Sequence, residues 1–214
     1  MKPRFASAVL GNLHSTLVLA LAAFGLLLLM SCGAARPVKY YTLDPEAMNE
    51  SVASQPFPVN LVVGRITVPY IYRDDRLVYE TGPVELGTYE YHRWAEPPGY
   101  MLQSMLIQAL RASGRYRSTD RVSSNARGDY VLRGRLFSLS EVDGSTMLAR
   151  FSIEVELFQP RTGTTVWTHD YSHDEPVGGK TVETVIEAME KNVRAGMEQI
   201  VASLNDYFAS HLQP

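Results

Sequence analysis

The sequence predicts an α+β domain: a single antiparallel (mixed) β-sheet with two main helices packed on it, the longer one C-terminal. Three patterns lead to this prediction. Residues 151–157 alternate apolar and polar side chains, which is typical of a strand with one buried face. Apolar residues recur at helical spacing from Leu102 to Leu110 and again, over a longer stretch, from Val182 to Phe208.

The first 31 residues have the pattern of a secretory signal peptide and are excluded from the fold. Lys2 and Arg4 precede an apolar run that extends without interruption from Leu17 to Met30. A membrane-spanning helix needs about 20 apolar residues, and this run is too short. We therefore predict that residues 1–31 direct the chain out of the cytoplasm.

Cys32, the only cysteine in the sequence, is predicted to carry lipid. Leu29-Met30-Ser31-Cys32 resembles the lipobox of bacterial lipoproteins, with leucine three positions before the cysteine and a small residue directly before it. The resemblance implies about three acyl chains, such as palmitate, on the mature cysteine, and stable anchoring needs more than one. Gly33 stands where inner-membrane retention requires aspartate. The expected location is therefore the periplasmic face of the outer membrane.

These signals divide the chain into a signal peptide at 1–31, a lipidated cysteine with a short tether at 32–39, and a periplasmic domain at 40–214. The mature chain is long enough for one domain with its own core. Removing Lys2 and Arg4 changes the formal net charge from −3 to −5. The sequence has no basic patch, which argues against nucleic acid as a partner.

Four short strands are predicted before the first helix, each rich in β-branched or aromatic residues: 40–43, 59–68, 77–80 and 85–94. The polar stretch 46–58 has no periodicity and is predicted to be a loop. Pro69 is expected to end the second strand. Pro97-Pro98-Gly99 interrupts the strand pattern before the helix, and Gly114 is placed to end that helix.

Three further strands are predicted between the helices: 130–139, 151–157 and 165–171. The turn-forming residues 160–163 connect the last two as a hairpin. Gly178-Gly179-Lys180-Thr181 leads into the long helix, with Thr181 near its N-cap. The far end of this helix, 207–212, has two interpretations. It packs in the core, which we favour, or it extends past the sheet to meet another protein.

Nucleotide and metal sites are not predicted. A P-loop would require glycine five residues before Gly179, where the sequence has Asp174. His169 and His173 share one face of a strand, but Asp170 and Asp174 would lie on the other face, and no third ligand is evident. A solvent-exposed hairpin end explains these residues better than a zinc site.

Catalysis is not predicted either. The sequence contains no Gly-x-Ser-x-Gly nucleophile elbow, and its one cysteine is assigned to lipidation. Asp74 and Asp75 are adjacent and precede Arg76, which is typical of an exposed loop. The chain is therefore expected to be non-enzymatic and to need no cofactor.

Tyr89, Tyr91, His92 and Trp94 belong to the least ordinary segment of the mature chain. Alternating aromatic residues of this kind are either half-buried sheet residues or anchors of a protein interface, where Tyr and Trp are enriched. Both interpretations stay open, and these four residues are the candidate partner contacts.

The mature chain resembles the family of ABC-type transport auxiliary lipoproteins (PqiC-like) along nearly its whole length. Besides the lipobox, the similar segments are 40–43, 66–70 and 73–79. The most specific is 91–98, whose Trp-Ala-Glu-Pro-Pro run precedes the first helix. Residues 70–73 depart from the family, which more often has a leucine–aspartate pair before the arginine.

The resemblance implies a membrane-anchored, non-catalytic accessory component of an ABC transporter. The periplasmic subunits of such a transporter carry MCE domains, and it moves lipids between the inner and outer membranes. Cys32 would anchor the domain, the ATPase and permease would be separate chains, and a homo-oligomeric ring could match an oligomeric conduit. One alternative is a structural or regulatory envelope lipoprotein that assists assembly of a surface or cell-wall complex without lipid cargo. Another is a carrier that holds one acyl chain between helix and sheet.

Overall fold

In the computed structural model the described residues are 36–44, 56–123 and 128–212, and they contain eight strands and two α-helices. The strands are β1 Lys39–Tyr41, β2 Phe57–Thr67, β3 Arg76–Thr81, β4 Leu86–Trp94, β5 Tyr116–Arg121, β6 Tyr130–Asp143, β7 Leu148–Gln159 and β8 Thr164–Pro176. The helices are α1 Pro98–Ala112 and α2 Val182–His211. The signal peptide, Cys32 and most of the loop predicted at 46–58 lie outside the described residues.

Strand β6 is the centre of the sheet, because three other strands pair with it. β7 lies antiparallel along one edge, and β8 extends the sheet beyond β7. On the opposite edge β2 pairs with residues 130–135 and β3 with residues 140–143, both parallel to β6. β5 then pairs with β2, β4 with β3, and β1 with β4. The sheet is mixed, and the predicted α+β class is confirmed.

Most of the strands are longer than the sequence predicts, and the described residues contain one strand more. β2 begins at Phe57, so the last two residues of the predicted loop belong to the strand. β8 continues past residue 171 to Pro176 and keeps His173 within the sheet. The sequence does not predict β5, because its residues YRSTDR are mostly polar and Thr119 alone among them is buried. Parallel pairing with β2 holds β5 as an edge strand.

Both helices pack on one face of the sheet with their apolar stripes inward, as their spacing predicts. Their buried apolar residues include Leu102, Met105, Leu106 and Leu110 of α1, and Val185, Met189, Val193, Met197, Ile200, Leu204 and Phe208 of α2. Gly114 follows α1 with φ 60°, a conformation that glycine adopts without strain. Thr181 and Thr184 form a capping box at the start of α2. No helix of the described residues is long and apolar enough to cross a membrane.

The far end of α2 packs in the core, which confirms the favoured interpretation. Phe208 is completely buried. Its ring contacts four aromatic rings at centroid distances of 5.2–5.8 Å: Phe57, Tyr116, Tyr130 and Tyr207. Tyr116 also donates a hydrogen bond to Asn205 Oδ1 at 2.6 Å, and burial raises the pKa of its hydroxyl well above the usual value. The last turns of α2 therefore complete the core beside β5.

A buried asparagine connects α2 to the sheet. Asn192 has no exposed surface, and its Nδ2 donates to the carbonyl oxygens of Ala149 and His173 at 2.8 Å each. The Tyr171 hydroxyl donates to Asn192 Oδ1, also at 2.8 Å. Each polar atom of the Asn192 amide is thus hydrogen-bonded, as a buried polar side chain requires.

Candidate partner-binding surface

The face of the sheet that carries no helix is lined with charged and polar side chains. In β7 every second residue from 149 to 157 is buried against the helices, and the residues between them, including Arg150 and Glu156, lie on the other face. Arg133 and Arg135 of β6 lie on that same face, and Arg133 forms an ion pair with Glu156 at 3.4 Å. We call it the helix-free face.

The helix-free face is interrupted where β2 and β3 meet the same edge of β6. β2 stops pairing at residue 135 and β3 starts at residue 140, so residues 136–139 have no strand on that edge in the described part of the chain. The chain crosses this interval as a 3₁₀ turn, Tyr70–Tyr72, after Pro69. We call this interval, together with residues 69–73 that fill it, the ladder gap.

Phe137 lies at a β-bulge beside the ladder gap. Leu136 pairs with Ile153 and Ser138 with Ser152, so Phe137 is an extra residue in β6. Its side chain is 48% exposed. A large apolar side chain is therefore exposed on the helix-free face beside the ladder gap.

The first concavity at the ladder gap has a volume of about 460 Å³ and lies between the 3₁₀ turn, the β3–β4 turn and the bulge. Its rim is apolar. Val84 is 93% exposed and Leu86 is 51% exposed. Ile71 and Phe137 complete the rim. Exposed apolar groups clustered around a concavity mark a binding surface.

The floor of this concavity is an ion-paired cluster. Glu80 accepts hydrogen bonds from Ser138, from Ser140 and from Arg150 Nη1, the last at 2.7 Å. Arg150 also donates from Nε and Nη2 to the two carboxylate oxygens of Asp174, at 2.8 Å each. These hydrogen bonds hold the pKa of Asp174 below its usual range and raise the pKa of the Arg150 guanidinium. The floor is thus fixed by charge pairs, while the rim stays open.

A second concavity, of about 350 Å³, lies between the end of β2 and the start of α1 and shares Tyr72 with the first. α1 approaches β2 closely here because Gly99 has no side chain. A Cβ on Gly99 would lie 2.9 Å from the carbonyl oxygen of Ile66. This contact explains why the Pro-Pro-Gly sequence ends in glycine. Arg65 and Arg73 both line this concavity, and we call it the Arg65–Arg73 pocket.

Residues 69–73 border a third concavity as well, of about 590 Å³. Tyr70 stands beside it with 83% of its surface exposed, and the Arg73 guanidinium lies over the Tyr70 ring, 5.6 Å from its centroid. The segment that departs from the family pattern, 70–73, is therefore at the centre of all three concavities. Variation at Tyr70 or Arg73 would change this surface, whereas Tyr72 is 3% exposed and belongs to the core.

The aromatic segment of β4 has four candidate contacts that differ in exposure. Trp94 is 1% exposed and belongs to the core, so the buried interpretation applies to it. Tyr89, Tyr91 and His92 are half-buried. Tyr89 donates a hydrogen bond to Glu141 Oε2 at 2.7 Å, and burial raises the pKa of its hydroxyl. Partner contact by Tyr89, Tyr91 and His92 stays a prediction.

The rings of Tyr89 and His92 are 5.4 Å apart, although residues three apart in a regular strand point to opposite faces. The pairing of β3 with β4 explains this contact. Between the pairs made by Arg76 and Val78, the four residues 89–92 of β4 stand opposite one residue of β3. This irregularity brings the two rings together, and local spacing alone could not have predicted it.

A hydrogen-bonded cluster fixes β1, the strand nearest Cys32 in sequence, to the start of α2. The Tyr41 hydroxyl lies 2.8 Å from His92 Nδ1 and donates to Glu183 Oε1 at 3.2 Å. Lys39 Nζ donates to the same carboxylate oxygen at 2.9 Å. Burial and the hydrogen bond to Glu183 raise the pKa of Tyr41 to about 12. The hydrogen bond from Lys39 lowers the pKa of Glu183 to about 2. We call this cluster the β1 latch.

The two histidines of β8 lie on the helix-covered face. His169 stacks on Trp167 with ring centroids 5.9 Å apart, and Tyr171, between the histidines, is buried. The prediction of a solvent-exposed hairpin end is wrong for Tyr171, which α2 covers, whereas the side chain of His173 is 52% exposed. Asp174 lies on the opposite face, as predicted. The described residues contain no group of three or more His, Cys, Asp or Glu side chains placed to hold a metal ion.

Residues 41–201 match the family model described as ABC-type transport auxiliary lipoprotein component. The chain belongs to this family. The resemblance carried by the Trp-Ala-Glu-Pro-Pro run is thereby confirmed, and the match includes the ladder gap and both helices, except the end of α2. A comparison of this auxiliary lipoprotein with curated proteins finds no match.

Solved structures similar to this auxiliary lipoprotein include a protein of the DUF330 family from Xanthomonas campestris. Its TM-score is 0.70 at 18% identity, covering 81% of this chain and 99% of that chain. An uncharacterized protein matches with a TM-score of 0.62 at 16% identity, covering 79% of this chain and 99% of that chain. Identities this low show a shared fold alone. A PelC dodecamer from Paraburkholderia phytofirmans has a TM-score of 0.40 at 15% identity, covering 67% of this chain and 90% of that chain, which is too low to inform assembly.

Proposed function

We propose that this auxiliary lipoprotein is the membrane-anchored, non-catalytic accessory component of an MCE-type ABC transporter that moves lipids between the inner and outer membranes. The signal peptide, residues 1–31, is removed. Cys32 is acylated, and the tether 32–39 holds the domain 40–214 on the periplasmic face of the outer membrane. The observation that carries the proposal is the family match over residues 41–201.

The open side of the sheet supports a docking role. Three concavities meet at residues 69–73, and exposed apolar side chains border the one on the helix-free face. A partner that covered this surface would bury apolar groups such as Val84, which is 93% exposed in the free domain. We infer that the periplasmic MCE subunit of the transporter docks here.

The position of β1 in the sequence supports a short connection to the membrane. Lys39, the first residue of β1, is seven residues after Cys32. A chain of this length spans at most about 25 Å. The β1 latch attaches the strand to α2, so the whole domain would stay close to the bilayer. A domain held in this way is suited to meet the end of a conduit that starts at the inner membrane.

Affinity purification of the full lipoprotein from crosslinked envelopes, followed by mass spectrometry, tests the transport role. We expect enrichment of an MCE-domain protein and its permease. Recovery of assembly or cell-wall proteins without an MCE subunit would contradict the proposal and favour a structural or regulatory envelope lipoprotein. One lipid retained by a purified, acyl-free domain would favour a carrier.

Metabolic labelling with a palmitate analogue, combined with separation of the two membranes, tests the anchor. The wild-type protein is expected to take up the label and to fractionate with the outer membrane, whereas Cys32→Ala should lose both properties. Label on the Cys32→Ala protein would show that another residue is acylated. Recovery of the wild-type protein with the inner membrane would contradict the proposed location.

A further inference from the structure

The Arg65–Arg73 pocket is lined by two arginines and by no acidic residue, although Arg65 also borders a concavity that Glu154 and Glu156 line. Neither guanidinium has a carboxylate partner among the described residues. The neighbouring arginines are different. Arg76 lies 3.6 Å from Asp74, and Arg93 lies 2.7 Å from Asp75. Two unpaired arginines therefore line one pocket in a region where other arginines are ion-paired.

The start of α1 adds to this positive potential. Its N-cap is Pro97, which makes no side-chain cap hydrogen bond, and its first turn contains no acidic residue. Amide groups at a helix N-terminus carry partial positive charge. No Asp or Glu lines the pocket. An anionic group is the complement of such a site.

The walls of the pocket are apolar, and its rim is aromatic. Ile66, Val68 and Tyr72 line it, and Tyr100 is 43% exposed beside them. Tyr and Arg are the residue types that dominate protein-binding hot spots. The volume of about 350 Å³ lies near the lower limit for small-molecule pockets, which span about 300–1,000 Å³. A short protein segment therefore fits these features better than a free small molecule.

We propose that the Arg65–Arg73 pocket docks an acidic, apolar segment of the partner protein. A carboxylate of the segment faces the two guanidiniums, and a neighbouring apolar side chain packs on Ile66 and Val68. The inference rests on the proposed function, in which the partner is the periplasmic MCE subunit. The proposal specifies the chemistry of the contact and names Arg65 and Arg73 as the residues that select the acidic segment.

A pair of charge reversals tests the pocket in the full lipoprotein. Arg65→Glu with Arg73→Glu should lower recovery of the MCE subunit from crosslinked envelopes by at least about tenfold, because like charges would then meet. Arg117→Glu with Arg161→Glu is the matched control. Both residues are exposed, neither lines the pocket, and the change in charge is the same. Recovery with this control should change by less than about twofold.

Three further measurements separate docking from misfolding. Arg65→Lys with Arg73→Lys keeps both charges and should retain part of the recovery. A photo-crosslinking amino acid in place of Tyr100 should attach to an acidic segment of the MCE subunit, and one in place of Arg117 should not. Equal thermal unfolding of all variants will show that the domain stays folded.

The outcomes distinguish the inference from the proposed function. Undiminished recovery with Arg65→Glu and Arg73→Glu would overturn the inference and leave the transport role standing. Failure of the wild-type protein to recover any MCE subunit would overturn both. Oleate, an anionic amphiphile, is the competing probe. If oleate bound the wild-type protein, failed to bind the double reversal and did not compete with the MCE subunit, the pocket would belong to a small anion instead.

Discussion

The two faces of the sheet use the same alternating strands in different ways. In β7, Phe151, Ile153 and Val155 are buried against the helices, while Arg150 and Glu154 between them lie on the helix-free face. Apolar packing closes the helix-covered face. Ion pairs fix the helix-free face, which keeps an open apolar rim at the ladder gap. Stability therefore comes mainly from one face, and the other is available for binding.

Two phenylalanines make the comparison direct. Phe208, on the helix-covered face, is completely buried among aromatic rings, whereas Phe137, at the bulge of the helix-free face, is 48% exposed. Full burial of a phenylalanine side chain contributes about 1.5–3 kcal/mol to folding. Because Phe137 is half exposed, its side chain contributes much less than this to the folding of the free domain. Under the proposed docking role, a partner would cover this exposed area.

Replacing each phenylalanine by alanine should show the largest difference in unfolding free energy between the two faces. Phe208→Ala leaves a cavity among four rings and should lower the free energy of unfolding by about 3–5 kcal/mol. Phe137→Ala should lower it by about 1 kcal/mol or less, because the side chain is already half in water. Urea unfolding of the full lipoprotein in mild detergent measures both. Equal losses would show that Phe137 is part of the core and would contradict the comparison.

Asn192→Ala should cause the next largest loss of unfolding free energy, because it removes the polar connection between α2 and the sheet. The Ala149 and His173 carbonyls would lose the Asn192 donor, and the Tyr171 hydroxyl would keep only its 3.3 Å hydrogen bond to the backbone carbonyl of residue 192. The expected loss in unfolding free energy is about 2–4 kcal/mol. Asn205→Ala is the control on the same helix, since Asn205 is half-buried and accepts one hydrogen bond. It should lose about 1.5 kcal/mol or less, and an equally mild Asn192→Ala would refute the structural role of Asn192.

The helix-covered face is the more predictable of the two from sequence. The stripes of α1 and α2 and the alternation at 151–157 each follow from spacing within one element, and all three occur where predicted. The capping box at Thr181 likewise involves only residues 181–184. Local patterns suffice here because burial against a neighbouring layer requires apolar residues at fixed spacing.

The helix-free face depends on contacts between distant parts of the chain, and spacing does not reveal them. The ladder gap exists because β2 and β3 pair with the same edge of β6, which no residue pattern signals. The cluster on Arg150 joins Glu80 and Asp174 from two other strands. In β4, the apparent alternation of Tyr89 and Tyr91 conceals an irregularity that only the pairing with β3 creates. The sequence therefore predicts the aromatic segment of β4, whereas the surface at the ladder gap follows only from the pairing of β2 and β3 with β6.

Arg150→Met breaks the ion-paired cluster on the helix-free face. It should lower the unfolding free energy by less than Phe208→Ala or Asn192→Ala does. Glu80 has a side chain that is 14% exposed and would keep only its serine donors. Asp174 would lose two hydrogen bonds. The Arg150 side chain is 35% exposed, so screening by water limits the expected loss to about 1–2 kcal/mol. Arg135→Met is the control, because Arg135 has no ion pair among the described residues, and should change stability by about 0.5 kcal/mol or less.

The same substitution should change how stability depends on pH. The hydrogen bonds from Arg150 hold the pKa of Asp174 below its ordinary value of 3.8. Their contribution to folding is therefore complete above that value and is lost as the pH falls below it. The difference in unfolding free energy between wild type and Arg150→Met should shrink as the pH is lowered from about 5 toward 2. A difference that grows on acidification would contradict the assigned ion pair.

The smallest effect on stability is expected from a substitution in the β1 latch, which lies at the edge of the sheet. The pKa of Glu183 is lowered from 4.5 to about 2, mainly by the hydrogen bond from Lys39. The carboxylate therefore stabilises the latch above pH 4.5, and this contribution is lost as the pH falls toward 2. Glu183→Gln should weaken the latch at neutral pH. Amide hydrogens of residues 36–44 should then exchange faster, with no change in β6 or β7.

Hydrogen exchange measured by mass spectrometry at neutral pH decides how β1 is held. Glu187→Gln is the control, since Glu187 is exposed on the same helix and has no hydrogen bond or ion pair among the described residues. Faster exchange in residues 36–44 of Glu183→Gln alone would make the latch the connection between the lipid anchor and the helix-covered core. Unchanged exchange in both variants would mean that the three residue pairs between β1 and β4 suffice. The anchor would then be held by the edge of the sheet, independently of α2.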